Sequence, residues 1–246
     1  MSTLPDAHEQ TVIYFFVKTF SESSHAEQFL DGLLYMNSLT YFAKLEESDS
    51  SGRGDQYEGI GAWLQPHEIQ IEINGTPIPS VDLAGPIAIR PTRHLAKNVF
   101  CMHASYVGGN APSIFETTDK FEEHLKIPQQ NISLGQHSVV ITNVNEFLHR
   151  VKATASEQNV ALRANLVSYY DPTTFNGHFA EEDAPFNKQM KFAHQREYRL
   201  VVSTRKNDVS TYSLNIGNLR DIAYMISLAT LNDSIKISHL TNHPLA

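Results

Sequence analysis

The sequence predicts an α+β protein of one domain, residues 1–246, folded around a strongly bent mixed or antiparallel sheet with few, short helices. Two observations lead there. Short β-branched and aromatic runs recur along the chain, bounded by turn-forming residues, while apolar residues at helical spacing fill only a few short windows. The chain also has no internal repeat, no low-complexity linker and no composition shift that would mark a domain boundary. With hydrophobic residues at 41% of 246, one full core is attainable and global disorder is excluded.

In chain order, residues 1–10 form a polar lead-in. Val12 to Val17 is apolar on both faces, as a central, doubly covered strand requires, and it ends at Lys18. Ser21 to Ser24 offer capping side chains for a helix with Ala26, Phe29 and Leu30 on one face, which Gly32 closes. Leu33 to Ser38 reads as a second strand and Leu39 to Glu46 as a short helix. A polar loop follows, with Glu46, Glu47, Asp49, Arg53, Asp55 and Glu58. Gly59 to Gln65 reads as a strand. Glu68 to Ile73 alternates without a break into the hairpin turn Asn74-Gly75. Strands are expected at 87–89, 99–102, 138–142, 162–170, 209–214 and 222–228. Helices are expected at 119–126 and from the cap Asn143 to Gln158, with a helical turn at 188–191 and one more short strand after Asn232.

The formal net charge of −8 opposes a broad phosphate-binding surface, though it permits a local basic pocket. Cys101 is the only cysteine, so neither an intramolecular disulfide nor a cysteine-rich zinc site can form. The first residues lack the basic and apolar regions of a signal peptide, and no apolar run is long enough to span a bilayer. A soluble, cytoplasmic protein is expected. No phosphate-binding glycine loop, His-Glu-x-x-His or Gly-x-Ser-x-Gly occurs, which removes the common routes to nucleotide, peptide and ester hydrolysis. His103 and His194 share no element with ligand spacing, and no metal is expected there.

The stretch with most chemical character is Phe192 to Val202. His194, Gln195, Arg196 and Glu197 stand at the leading end of the apolar strand Tyr198-Arg199-Leu200-Val201-Val202. A strand end fixes the backbone while leaving side chains open to a ligand. The competing reading is an edge strand whose Glu197 pairs with Arg196 or Arg199.

Gln195-Arg196-Glu197 resembles the Gln/Glu-x-Glu element of NAD-dependent ADP-ribosyltransferases. The resemblance implies that NAD is the substrate. It makes Glu197 the carboxylate that bonds the nicotinamide ribose and stabilises the oxocarbenium-like centre, with Gln195 helping to select the acceptor. It also implies supporting cofactor contacts. Lys18 would stand at the end of the first strand, Tyr35 would stack on nicotinamide, Ser38 would hydrogen-bond it, and Arg53 would fork onto the pyrophosphate. Each has a plainer alternative: Tyr35 in the core, Ser38 as a helix cap, Arg53 as a solvated charge.

A second resemblance spans more of the chain. Gly32 to Ser38, Arg53 to Gly59, Val99 to Met102 and Gln195 to Arg199 are similar, in that order, to a widespread uncharacterised bacterial family. Its pattern is Gly-x-Leu-Tyr-x-Ser, Asn-Asp-Pro-x-Glu-Gly, Cys-Phe-Ser and Glu-x-Glu-Tyr-Arg. This chain departs from it with Arg-Gly-Asp-Gln before Tyr57 and Met-His after Cys101. The resemblance implies a toxin or phage-defence component acting on a protein or nucleic-acid acceptor, with a neutralising antitoxin or a defence partner. Two other classes stay open. One is a metal-dependent nuclease built on Asp55, Glu58 and Glu197. The other is a non-catalytic binding or sensing module.

Overall fold

The computed structural model describes residues 11–45, 54–109, 111–204 and 210–238. The lead-in at 1–10, the loop from Glu46 to Arg53 and the tail past 238 lie outside the described residues. The fold is α+β, as expected.

β1 (Val12–Phe20) runs past Lys18, because Lys18, Thr19 and Phe20 continue the ladder against Val139, Ser138 and His137. α1 (Ser23–Leu30) buries Ala26, Phe29 and Leu30, the face its spacing predicts. Gly32 follows at φ 103°, and a β-carbon there would meet the Gly217 carbonyl oxygen at 2.2 Å, so only glycine fits. β2 (Leu33–Ser38) leads directly into α2 (Leu39–Leu45). β3 (Ala62–Leu64) is shorter than expected. The alternating stretch at 68–73 does not form one strand. Pro66 starts a 3-10 turn to Glu68, and only β4 (Ile71–Ile73) pairs, with β5 (Thr76–Ile78), across Asn74-Gly75 at positive φ.

β6 (Ile87–Ile89) and α3 (Thr92–Leu95) precede β7 (Asn98–Val107), the longest strand described. After α4 (Thr118–Leu125) and β8 (His137–Ile141), Asn143 caps α5 (Val144–Glu157) by accepting from the Glu146 N–H at 3.0 Å. The expected strand at 162–170 divides at Val167 into β9 (Ala161–Leu166) and β10 (Ser168–Tyr170). Val167 instead gives its N–H to the Glu197 carbonyl. β11 (Gly177–His178) is brief. The helical turn expected at 188–191 is displaced: β12 (Asn187–Gln189) pairs in parallel with β10, and a 3-10 turn follows at Met190–Gln195. β13 (Glu197–Ser203), β14 (Tyr212–Asn215) and β15 (Ala223–Ile226) come next. α6 (Leu228–Ser234), capped by Ser227, reaches only the start of the segment after Asn232 where a last strand was expected. Residues 235–238 form no strand, and the rest of that segment lies outside the described residues.

The main sheet is antiparallel in every described pair, in the order β14-β2-β7-β1-β8-β15, with β13 and then β9 on the other edge of β7. One face carries the core: Phe16, Phe100, Met102, Tyr198 and Leu200 lie against Phe29 of α1 and Phe147 and Val151 of α5. β3, β6 and β11 form a separate small sheet. There Trp63 packs with Tyr57 and Tyr170 and fixes the turn that carries Glu58. Among the described residues no helix is long and apolar enough to cross a membrane.

Candidate functional site: a cleft where the sheet divides

One edge of β7 serves two strands at once. β2 takes its start, pairing Asn37 with Val99 and Ser38 with Asn98, while β1 takes its end from His103 onward. Between these anchors the strands diverge, and the Cys101 carbonyl faces the gap. Lys18 fills it, its ammonium donating to that oxygen at 2.8 Å and lying 4.8 Å over the Phe100 ring. A charged donor thus stands in for a missing strand. The divergence opens a cleft of about 650 Å³, within the size range of small-molecule sites. Tyr35, 53% exposed, and Tyr41, 47% exposed, stand on its β2–α2 wall.

Four buried charges form the cleft floor. Arg199 lies between two carboxylates: its Nε donates to Glu197 Oε1 at 2.6 Å, while Nη1 and Nη2 fork onto Glu58 at 2.8 and 2.6 Å. Lys188 Nζ donates to Glu197 Oε2 at 3.0 Å and to Gln195 Oε1 at 2.9 Å, and stands 3.6 Å from Glu58 Oε1. Two cations and two anions cancel, which is the condition for keeping charges out of water. Burial alone would raise the Glu197 carboxyl, but Arg199 and then Lys188 outweigh it and hold the group well below the usual carboxylate range. Burial, then the Glu197 charge, pushes the Cys101 thiol up to about 12. Cys101 therefore stays protonated and is no nucleophile at neutral pH.

Arg196 separates Gln195 from Glu197 in the left-handed region, at φ 43°. That turn directs both side chains to the one ammonium of Lys188. The cost of the conformation is offset by the Arg196 guanidinium, which lies 4.7 Å from the Tyr106 ring and donates to the His124 carbonyl at 2.7 Å. Below it, the Gln195 carbonyl accepts from His103 Nδ1 at 2.9 Å. Asn131 Nδ2 lies 3.2 Å from that nitrogen and donates to the His194 carbonyl at 3.2 Å. The Gln195 carbonyl can only accept and makes the shorter of the two contacts, so Nδ1 is assigned the imidazole proton and Nε2 a lone pair. Asn131 Nδ2 is then a neighbour of the ring rather than a donor to it. His103 Nε2 and Asn131 Oδ1 are both buried without a hydrogen-bond partner among the described residues, at a cost of about 1–3 kcal/mol each.

Burial, then the Arg196 charge, lowers His103 to about 3 from its ordinary 6.5. Unfolded chains take up that proton near pH 6.5, whereas the folded protein refuses it down to about pH 3, so stability falls as pH falls through that window. Glu197 adds a second loss below about pH 4.5, where only the unfolded carboxyl protonates. Denaturant melts should show stability declining between pH 6.5 and 4.5. His103→Phe should remove about 1.4 kcal/mol per pH unit of that slope. An unchanged slope in His103→Phe contradicts this assignment.

Lys18, Tyr35, Gln195 and Glu197 all line the cleft. Ser38 does not. Its hydroxyl is buried and accepts from the Tyr41 N–H at 3.4 Å, the helix-start role that was its plainer alternative. Arg53 lies outside the described residues. Asp55 is buried and accepts from the Tyr57 N–H at 2.9 Å, bracing the Glu58 turn. Sequence reasoning missed Lys188 and Asn131, because a lysine or asparagine in a polar stretch reads as solvated.

The chain matches no family model, no curated protein and no solved structure. Its resemblance to ADP-ribosyltransferases therefore rests on the sequence residues quoted above alone.

Proposed function

We propose that the cleft binds NAD and that Glu197 assists departure of nicotinamide in an ADP-ribosyl transfer. The observation that supports this is convergence: Lys18, Tyr35 and the pair Gln195 and Glu197 come from three places in the chain and line one cleft of nucleotide size. Tyr35 offers a flat, half-exposed ring for a base, and Glu197 an ionised carboxylate. In the reaction the bond from ribose C1′ to the pyridinium nitrogen breaks, and its electron pair leaves with nicotinamide. A lone pair of water or of the acceptor then forms the new bond to C1′, and that nucleophile gives up its proton. Because the four floor charges cancel, Glu197 acts on the sugar by short-range contact rather than through a long-range field. Arg199 and Lys188 hold it ionised and oriented.

The nuclease reading loses ground to the same geometry. Arg199 stands between Glu58 and Glu197, where a shared metal would have to lie. Among the described residues no group of three or more His, Cys, Asp or Glu side chains is placed to hold a metal. Binding without turnover is the second reading, favoured by the engagement of both Glu197 oxygens. Nicotinamide release from NAD, without added metal, by wild type beside Glu197→Gln separates the two. Release that depends on Glu197 supports transfer, and NAD bound but never consumed supports the binding module.

A further inference from the structure

We propose that His103 and Asn131 form a subsite for a neutral N–H donor on the ligand, a primary amide or an exocyclic amine. This rests on the NAD reading for its setting but on different atoms for its evidence. Both residues line the cleft, and both are more than nine-tenths buried. Each has its other polar atom committed: His103 Nδ1–H to the Gln195 carbonyl and Asn131 Nδ2 to the His194 carbonyl. What remains is Nε2 on the ring and Oδ1 on the amide, two acceptors with no donor among the described residues.

Buried acceptors without partners are rare in native proteins, and two on side chains in contact with each other ask for one explanation. The chemistry is selective by sign. An NH2 group has two hydrogens to offer two acceptors, whereas a carboxylate or a ring carbonyl brings only further lone pairs. Neither atom is open to bulk water, so a ligand reaches them through a side-chain shift at the cleft wall, an ordinary change on binding. NAD carries the required group twice, as the carboxamide of nicotinamide and as the 6-amino group of adenine.

The test is calorimetric titration of the full chain with five ligands: NAD, its nicotinic-acid counterpart, its hypoxanthine counterpart, benzamide and benzoate. The expected result is that NAD binds and one replaced dinucleotide binds roughly 10- to 100-fold more weakly. Loss with the nicotinic-acid form puts the carboxamide at the pair, and loss with the hypoxanthine form puts the adenine amine there. The discrimination should vanish in His103→Phe and Asn131→Leu. The ligand series on wild type decides the matter even where those variants fail to fold. Equal binding of all three dinucleotides overturns the donor subsite and leaves NAD binding intact. Benzamide bound in preference to benzoate, with no dinucleotide bound, keeps the subsite and removes NAD. Binding of none of the five overturns both.

Discussion

Arg199→Met lowers the unfolding free energy by about 3–5 kcal/mol, the range for removing one partner of a buried ion pair. The side chain is 1% exposed and supplies three of the hydrogen bonds that neutralise Glu58 and Glu197. Without it two carboxylates face Lys188 alone, and one negative charge stays buried without compensation. For a chain of this size the melting temperature should fall by roughly 10 °C. Adding Glu58→Gln to Arg199→Met removes the surplus charge and should restore part of the loss, a coupling that a double-mutant cycle measures directly. A loss below about 1 kcal/mol, the range for exposed pairs, would mean that the quartet is solvated and does not clamp the 55–61 turn to β13.

Glu197→Gln reduces nicotinamide release by about 10²- to 10³-fold, the usual range for deleting one electrostatic contact to a transition state. The substitution keeps the shape and removes the charge. It also turns an amide nitrogen toward either Arg199 or Lys188, donor against donor, so stability falls as well, by about 1–3 kcal/mol. Rates are therefore compared well below the variant's melting temperature. Release at the wild-type rate by the folded variant would leave Glu197 with a structural role only.

Strands with β-branched or aromatic runs were legible from pattern, and so were helices with a cap and an apolar face. Asn143 and the Ala26-Phe29-Leu30 face are examples. The placement of Glu197 at the mouth of a strand was legible too. What alternation did not show was which edge each strand would take. β1 and β2 both read as good strands, and nothing in their composition says that they share one edge of β7 and part around Cys101. The pairing of Arg199 with Glu197 was legible as the plainer reading, but its second partner was hidden. Glu58 lies 141 residues away, in a loop where a carboxylate reads as solvated or metal-binding. For Ser38 the sequence left two roles open, because a serine at a strand end fits a ligand contact and a helix cap alike, and α2 starts at the next residue.

Titration of NAD into the full chain, beside Tyr35→Ala, tests the cleft most directly. Tyr35 is 53% exposed, so the variant should melt like wild type. Saturable binding at one site, weakened roughly 10- to 100-fold by loss of the ring, is the expected result. No binding by wild type, or equal binding by the folded variant, contradicts NAD in this cleft.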